Sequence, residues 1–186
     1  MSVPGHSDLW IMEFQRTKLE GVFEIHIEPK WDERGLFART WCAVESQSNN
    51  LNPKIVQCNT SFNPRKGTLR GLHYQDSPRQ EAKLIRCTRG AICDVAVDLR
   101  PCSPTFKQWV VATLSAENRK MLYVPEGCGH GFLTLEDDTE VFYQMSEFYA
   151  PECSRGFRWN DPAFGIAWPD EVKVISERDR TYPDFH

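Results

Sequence analysis

Short runs of strand-forming residues, each closed by a turn, succeed one another from residue 23 to residue 146, and that rhythm leaves little room for anything but sheet. Residues 23–27, 36–41, 54–58, 108–114, 120–124, 132–135 and 140–146 each read as a strand. Asn118, Pro125-Glu126-Gly127 and Glu136-Asp137-Asp138 supply breaks between them. Residues 83–88 and 91–99, joined at Arg89-Gly90, predict a hairpin. In its second arm Cys93, Val95, Val97 and Leu99 share one face, while Asp94 and Asp98 share the other with Ile92 and Ala96. Helical periodicity is confined to residues 41–47 and 169–178, a turn or two in each. The expected fold is all-β, a sandwich or barrel with few short helices.

A chain of 186 residues supports one well-buried core and one domain, here read as residues 1–186. The first twenty residues read as an arm, and residues 177–186, with Pro183 among charged neighbours, as a tail. A net charge of −4, with lysines and arginines scattered rather than gathered in a stripe, argues against a nucleic-acid partner. No apolar run approaches the roughly twenty residues that cross a bilayer, so no membrane partner is expected. Residues 1–13 lack the basic head and apolar core of a secretory signal. Seven cysteines without a CxxC pair fit a reduced, cytoplasmic protein better than a zinc ribbon or a thioredoxin-like motif.

The chemistry-bearing stretch is Gly67-Thr68-Leu69-Arg70-Gly71-Leu72-His73-Tyr74-Gln75, followed by Lys83. A second histidine sits in Pro125-Glu126-Gly127-Cys128-Gly129-His130-Gly131-Phe132, and Tyr143 follows on a strand-like run. His6 and His186 lie in the two ends and His26 in an outer strand, which leaves His73 and His130 as the candidates. An imidazole base, a cation and a phenol are the parts needed to take a proton from carbon and return it. Arg70 and His73 are spaced by an odd number, so a regular strand points them to opposite faces; a bulge at Gly71 would bring both into one pocket. A metal set of His73, Glu81 and His130 stays open as an alternative, although Gln75 stands where a cupin His-x-His would place its second histidine. Gly127, Gly129 and Gly131 follow a proline and lack the helix that a phosphate loop needs.

Several blocks together resemble the dTDP-4-dehydrorhamnose 3,5-epimerase family. They are Gln57-Cys58-Asn59-Thr60-Ser61, the Gly67 to Gln75 run, Lys83-Leu84-Ile85-Arg86-Cys87 and Asp94-Val95-Ala96-Val97-Asp98, then Ser103-Pro104-Thr105-Phe106, Leu114-Ser115-Ala116-Glu117-Asn118, the Pro125 to Phe132 run and Trp159-Asn160-Asp161-Pro162. The resemblance covers about residues 20 to 180 and implies a cupin-like β-barrel or jelly roll, with neither metal nor other cofactor, usually as a homodimer that exchanges N-terminal strands. It implies a nucleotide-diphosphate sugar substrate carrying a 4-keto-6-deoxyhexose. By the same resemblance His73 is the catalytic base, Asp179 its carboxylate partner, Tyr143 the general acid, and Lys83 the cation beside the developing oxyanion. Arg34, Gln57, Asn59, Arg70 and His130 fall on residues that line the nucleotide-sugar site, and Tyr149 and Phe148 are candidates for stacking on the base. Where rhamnose-pathway members carry an acidic residue after the Arg-Gly block, this chain has Arg39, a charge reversal that bears on which sugar is accepted.

Overall fold

The computed structural model describes residues 11–185. In chain order the first elements are β1 (Glu13–Arg16), β2 (Phe23–His26), β3 (Lys30–Asp32), β4 (Gly35–Phe37), α1 (Ala43–Ser48), β5 (Gln57–Asn63), β6 (Thr68–Gln75) and β7 (Lys83–Arg89). There follow β8 (Ala91–Asp98), β9 (Trp109–Ser115), β10 (Met121–Val124), β11 (Cys128–Thr134), β12 (Thr139–Met145), β13 (Ser154–Gly156), β14 (Val174–Ile175) and α2 (Glu177–Thr181). Among the described residues no helix is long and apolar enough to cross a membrane.

Two sheets face each other in a cupin-like jelly roll. One runs β1-β2-β10-β7-β12-β5; the other runs β13-β6-β11-β8-β9, with β14 added to β6 in parallel, and β3 and β4 form a separate hairpin. Between the sheets Ile85, Cys87, Leu122, Val124 and Val141 from the first meet Ile92, Ala96, Ala112, Leu114 and Phe132 from the second. The outer face of the second sheet is covered as well: Cys93, Val95, Val97 and Leu133 pack against Phe157 and Phe164 of the C-terminal segment. That double cover buries every residue of β8, and it explains why both faces of that strand read as apolar. The outer face of the first sheet, with Phe23, Ile25, Leu84, Met121 and Tyr123, packs with Met12, Leu51 and Trp41. All seven cysteines are free thiols, and burial pushes those of Cys93 and Cys128 up to about 12.

Four expectations change in the structure. Arg89-Gly90 does not close a hairpin: β7 pairs with β10 and β12, whereas β8 pairs with β11 and β9, so the turn carries the chain from one sheet to the other. Alternation fixes which residues face the core but not which strand lies alongside. The arm expected over residues 1–20 lies partly outside the described residues; from residue 13 onward the chain forms the edge strand β1, and Leu19 is buried in the core. The tail expected at 177–186 is packed. Phe185 stacks against Phe157 and Phe164, its amide donates to Asp161, and Arg158 pairs with Asp184. The helix expected at 169–178 forms only as α2, because Ser176 caps it by accepting from the Asp179 amide.

Asp98 shows what an acid on a core-facing position does in this fold. Fully buried at the end of β8, it accepts hydrogen bonds from the Arg100 amide and guanidinium and from the hydroxyls of Ser103 and Thr105, which fixes the loop leading to β9. Burial alone would raise its pKa, but the bonds from Arg100, Ser103 and Thr105 outweigh burial and hold it at about 2. A folded-state pKa below the unfolded one stabilises the fold above the unfolded value, here by roughly 2 kcal/mol, and this contribution is lost as pH falls through about 2. Asp98→Asn is therefore expected to lose about 2 kcal/mol in urea unfolding near neutral pH, with the gap to wild type closing as pH falls from about 4 to about 2.

Candidate active site

The site begins with a register irregularity. His73 lies opposite His130 and Arg70 opposite Phe132, so three steps along β6 match two along β11. Gly71 absorbs the extra residue, with φ at +122°. A Cβ there would stand 2.6 Å from the Gly131 Cα, and one on Gly131 would stand 2.7 Å from the Arg70 carbonyl oxygen. Two facing glycines thus let the backbones close where β6 bulges. The odd spacing of Arg70 and His73 no longer separates them, and both border one cavity.

That cavity has a volume of about 770 Å³, within the usual range for a small-molecule site. The first sheet contributes Gln57, Asn59, Lys83 and Tyr143, and the second contributes Arg70, His73 and His130. Tyr149, Arg178 and Asp179 also border it, from the segment after β12 and from α2. The apolar core fills only part of the space between the sheets, and polar side chains line the remainder. The structure therefore brings together the predicted catalytic and binding residues except Arg34, and of the two stacking candidates Tyr149 borders the cavity while Phe148 does not. Arg34 sits at the β3–β4 turn, highly exposed and ion-paired with Asp32, and does not border the cavity of its own chain. Arg39 also lies outside the cavity lining and is paired with Glu45 at 2.6 Å.

His73 Nε2 lies 2.7 Å from Asp179 Oδ1, and Asp179 Oδ2 accepts from the Gly71 amide. Burial would raise the Asp179 pKa, but the hydrogen bond and charge of His73, with the Gly71 N–H, outweigh burial and hold the carboxyl below its usual range. An ionised Asp179 accepts a hydrogen bond from Nε2–H, the tautomer that leaves a lone pair on Nδ1 of the imidazole. Lys83 is nearly buried, with its Nζ 2.6 Å from Glu81 Oε1. Arg70 Nε donates to Oδ1 of the fully buried Asn63, which holds the guanidinium plane while its other nitrogens stay available. Gln57 accepts from the Tyr149 amide, tying the exposed aromatic pair Phe148 and Tyr149 to the cavity rim.

The metal set loses its coherence here. His73 and His130 each bind an aspartate through Nε2, and Glu81 faces the Lys83 ammonium. Among the described residues no group of three histidine, cysteine or acidic side chains is arranged to hold a metal ion. Sequence reasoning missed Arg178, which borders the cavity and donates to the hydroxyls of Tyr182 and Ser154. Its adjacency to Asp179 was the available signal. It also missed the role of Asp94 as the partner of His130, although an acid sharing a face with Ile92 and Ala96 marks a buried charge that needs one.

The chain is similar to known proteins in both sequence and fold. The sequence model of the dTDP-4-dehydrorhamnose 3,5-epimerase family matches residues 16–186. A protein of that name from Sinorhizobium fredii is 43% identical over 182 residues, covering 97% of this chain and 93% of its own. The Bacillus anthracis dTDP-4-dehydrorhamnose 3,5-epimerase, solved with TDP and PPi bound, superposes with a TM-score of 0.90 at 38% identity, covering 94% of this chain and all of that one. A dTDP-6-deoxy-D-glucose-3,5-epimerase from Legionella pneumophila, in complex with dTDP-4-keto-L-rhamnose, superposes with a TM-score of 0.85 at 36% identity. That comparison covers 91% of this chain and 90% of the other.

The closure at Gly71 yields a direct test. Gly71→Ala forces a methyl group into the Gly131 backbone at a φ that side chains rarely adopt. The substitution is expected to cost about 3 kcal/mol or more, read as a lower midpoint in thermal unfolding. An unchanged midpoint would mean that the bulge relaxes without it.

Proposed function

Because the chain belongs to the dTDP-4-dehydrorhamnose 3,5-epimerase family, we propose that it inverts C3 and C5, or one of them, of a nucleotide-linked 4-keto-6-deoxyhexose in deoxysugar biosynthesis. The reading is carried by one observation: the His73–Asp179 pair and the Tyr143 phenol, with His73 and Tyr143 on different sheets, border a single cavity that also holds Lys83.

The C4 ketone makes the hydrogens on the adjacent carbons removable, because the electron pair left behind delocalises onto oxygen. His73 takes the proton at its free Nδ1, and Asp179 favours the imidazolium that forms. The C–H electrons become the enolate, whose oxygen meets the Lys83 ammonium, a type of contact typically worth about 3 kcal/mol in the transition state. Tyr143 gives its proton to the same carbon from the opposite side, and the configuration is inverted. The phenolate regains its proton from water and His73 loses its own, which restores the starting state.

The remaining groups suit the nucleotide-diphosphate half of the substrate. Arg70 and Arg178 offer guanidinium groups to a diphosphate, and Tyr149 with Phe148 offers aromatic faces to a base. A homodimer that exchanges N-terminal strands gives Arg34 its place, since an exposed hairpin tip is free to reach a neighbouring subunit's cavity.

Incubation of the purified protein with dTDP-4-dehydro-6-deoxyglucose in D2O tests the reading. Deuterium at C3 and C5 is expected, label at one carbon identifies a single epimerase, and no label overturns the proposal. Tyr143→Phe is expected to keep exchange of label, because His73 still removes and returns the proton on its own side, while formation of inverted product falls about 100-fold or more. His73→Ala is expected to abolish both, with nucleotide-sugar binding retained in calorimetry.

A further inference from the structure

His73 and His130 are cross-strand neighbours, and each has an aspartate on Nε2, but the two pairs differ in their surroundings. Asp179 has the Gly71 amide as a second donor, and its histidine is open to the cavity. Asp94 has no second donor. It is fully buried on β8, its Oδ1 lies 2.7 Å from His130 Nε2, and its Oδ2 has no hydrogen-bond partner. The cation that acts on it, Lys83, is already within 2.6 Å of Glu81, and the nearby thiols of Cys87 and Cys93 are pushed up to about 11 and 12 by burial and so carry no charge.

An ionised Asp94 beside a neutral imidazole would leave an uncompensated charge and a bare carboxylate oxygen in a dry interior. One added proton removes the uncompensated charge. On Oδ1 it makes a carboxylic acid that donates to Nε2; on Nε2 it makes an imidazolium that donates to the carboxylate. The pair is neutral overall in either case, and in either case the remaining ring nitrogen, Nδ1, carries a hydrogen. Burial pushes the Asp94 carboxyl upward, in the sense this requires, against the pull of His130 and Lys83.

Building on the epimerase reading of this cavity, we propose that Asp94 is a positioning residue that fixes His130 as an N–H donor to the ketone oxygen, beside Lys83. Two like pairs on adjacent strands then have opposite polarity. His73 presents a lone pair and removes the proton; His130 presents a hydrogen and steadies the charge that results. Environments that drive similar groups apart are a recognised way to divide acid and base duties.

The test is spectroscopic and needs no substrate. In ligand-free protein carrying nitrogen-15 histidine near neutral pH, with signals identified by His130→Gln and His73→Gln, Nδ1 of His130 is expected to bear hydrogen while Nδ1 of His73 does not. An unprotonated Nδ1 on His130 overturns the proposal. In kinetics, Asp94→Leu is expected to lower kcat about 100-fold with KM within about threefold; a kcat close to wild type also overturns it. Should that variant fail to fold, the wild-type spectrum decides alone. A protein that exchanges deuterium normally yet shows His130 unprotonated loses only this inference, whereas absence of exchange removes the epimerase reading itself.

Discussion

The close approach of β6 and β11 at Gly71 and Gly131 is the constraint from which the rest of the site follows. Without side chains the two backbones meet at distances that a Cβ would forbid, and the extra residue on β6 turns His73 and Arg70 toward the same side. The Gly71 amide is also freed from the ladder to donate to Asp179. One local departure from ideal pairing thus sets the direction of the base, the direction of a cation and part of the support for the base's carboxylate.

Electrostatics then separate groups that composition would treat alike. Three aspartates of the site and its supporting strands are buried: Asp98, Asp179 and Asp94. Asp98 is saturated with donors and held far below its usual range, Asp179 is held below it by His73 and a backbone amide, and Asp94, with one donor, is pushed above it. The order follows the balance between burial, which is most complete around Asp94, and the number and charge of the hydrogen-bond partners that oppose it.

Much of this was legible in the sequence, for physical reasons. Period-two alternation identified most strands, and the face shared by Asp94, Ile92, Ala96 and Asp98 was the interior face. The glycine beside Arg70 marked the bulge. What remained hidden was non-local. Alternation carries no record of a strand's neighbour, so the step across sheets at Gly90 read as a hairpin. The charged last residues read as solvated because nothing local announces that Phe185 joins an aromatic cluster, and the pairing of Asp179 with a histidine 106 positions earlier was legible through the family resemblance alone. Arg34 stands apart: its residue type suits the site, but its own chain does not bring it there.

The placement of Asp179 on α2 has a consequence for how durable the base is. His73, Lys83 and Tyr143 sit on strands of the two main sheets, whereas the carboxylate that orients His73 rides on a helix of five residues. Fraying of that single turn would leave the walls and the imidazole in place and the base without its anchor, so the persistence of the dyad is set by a local helix rather than by the sheets around it.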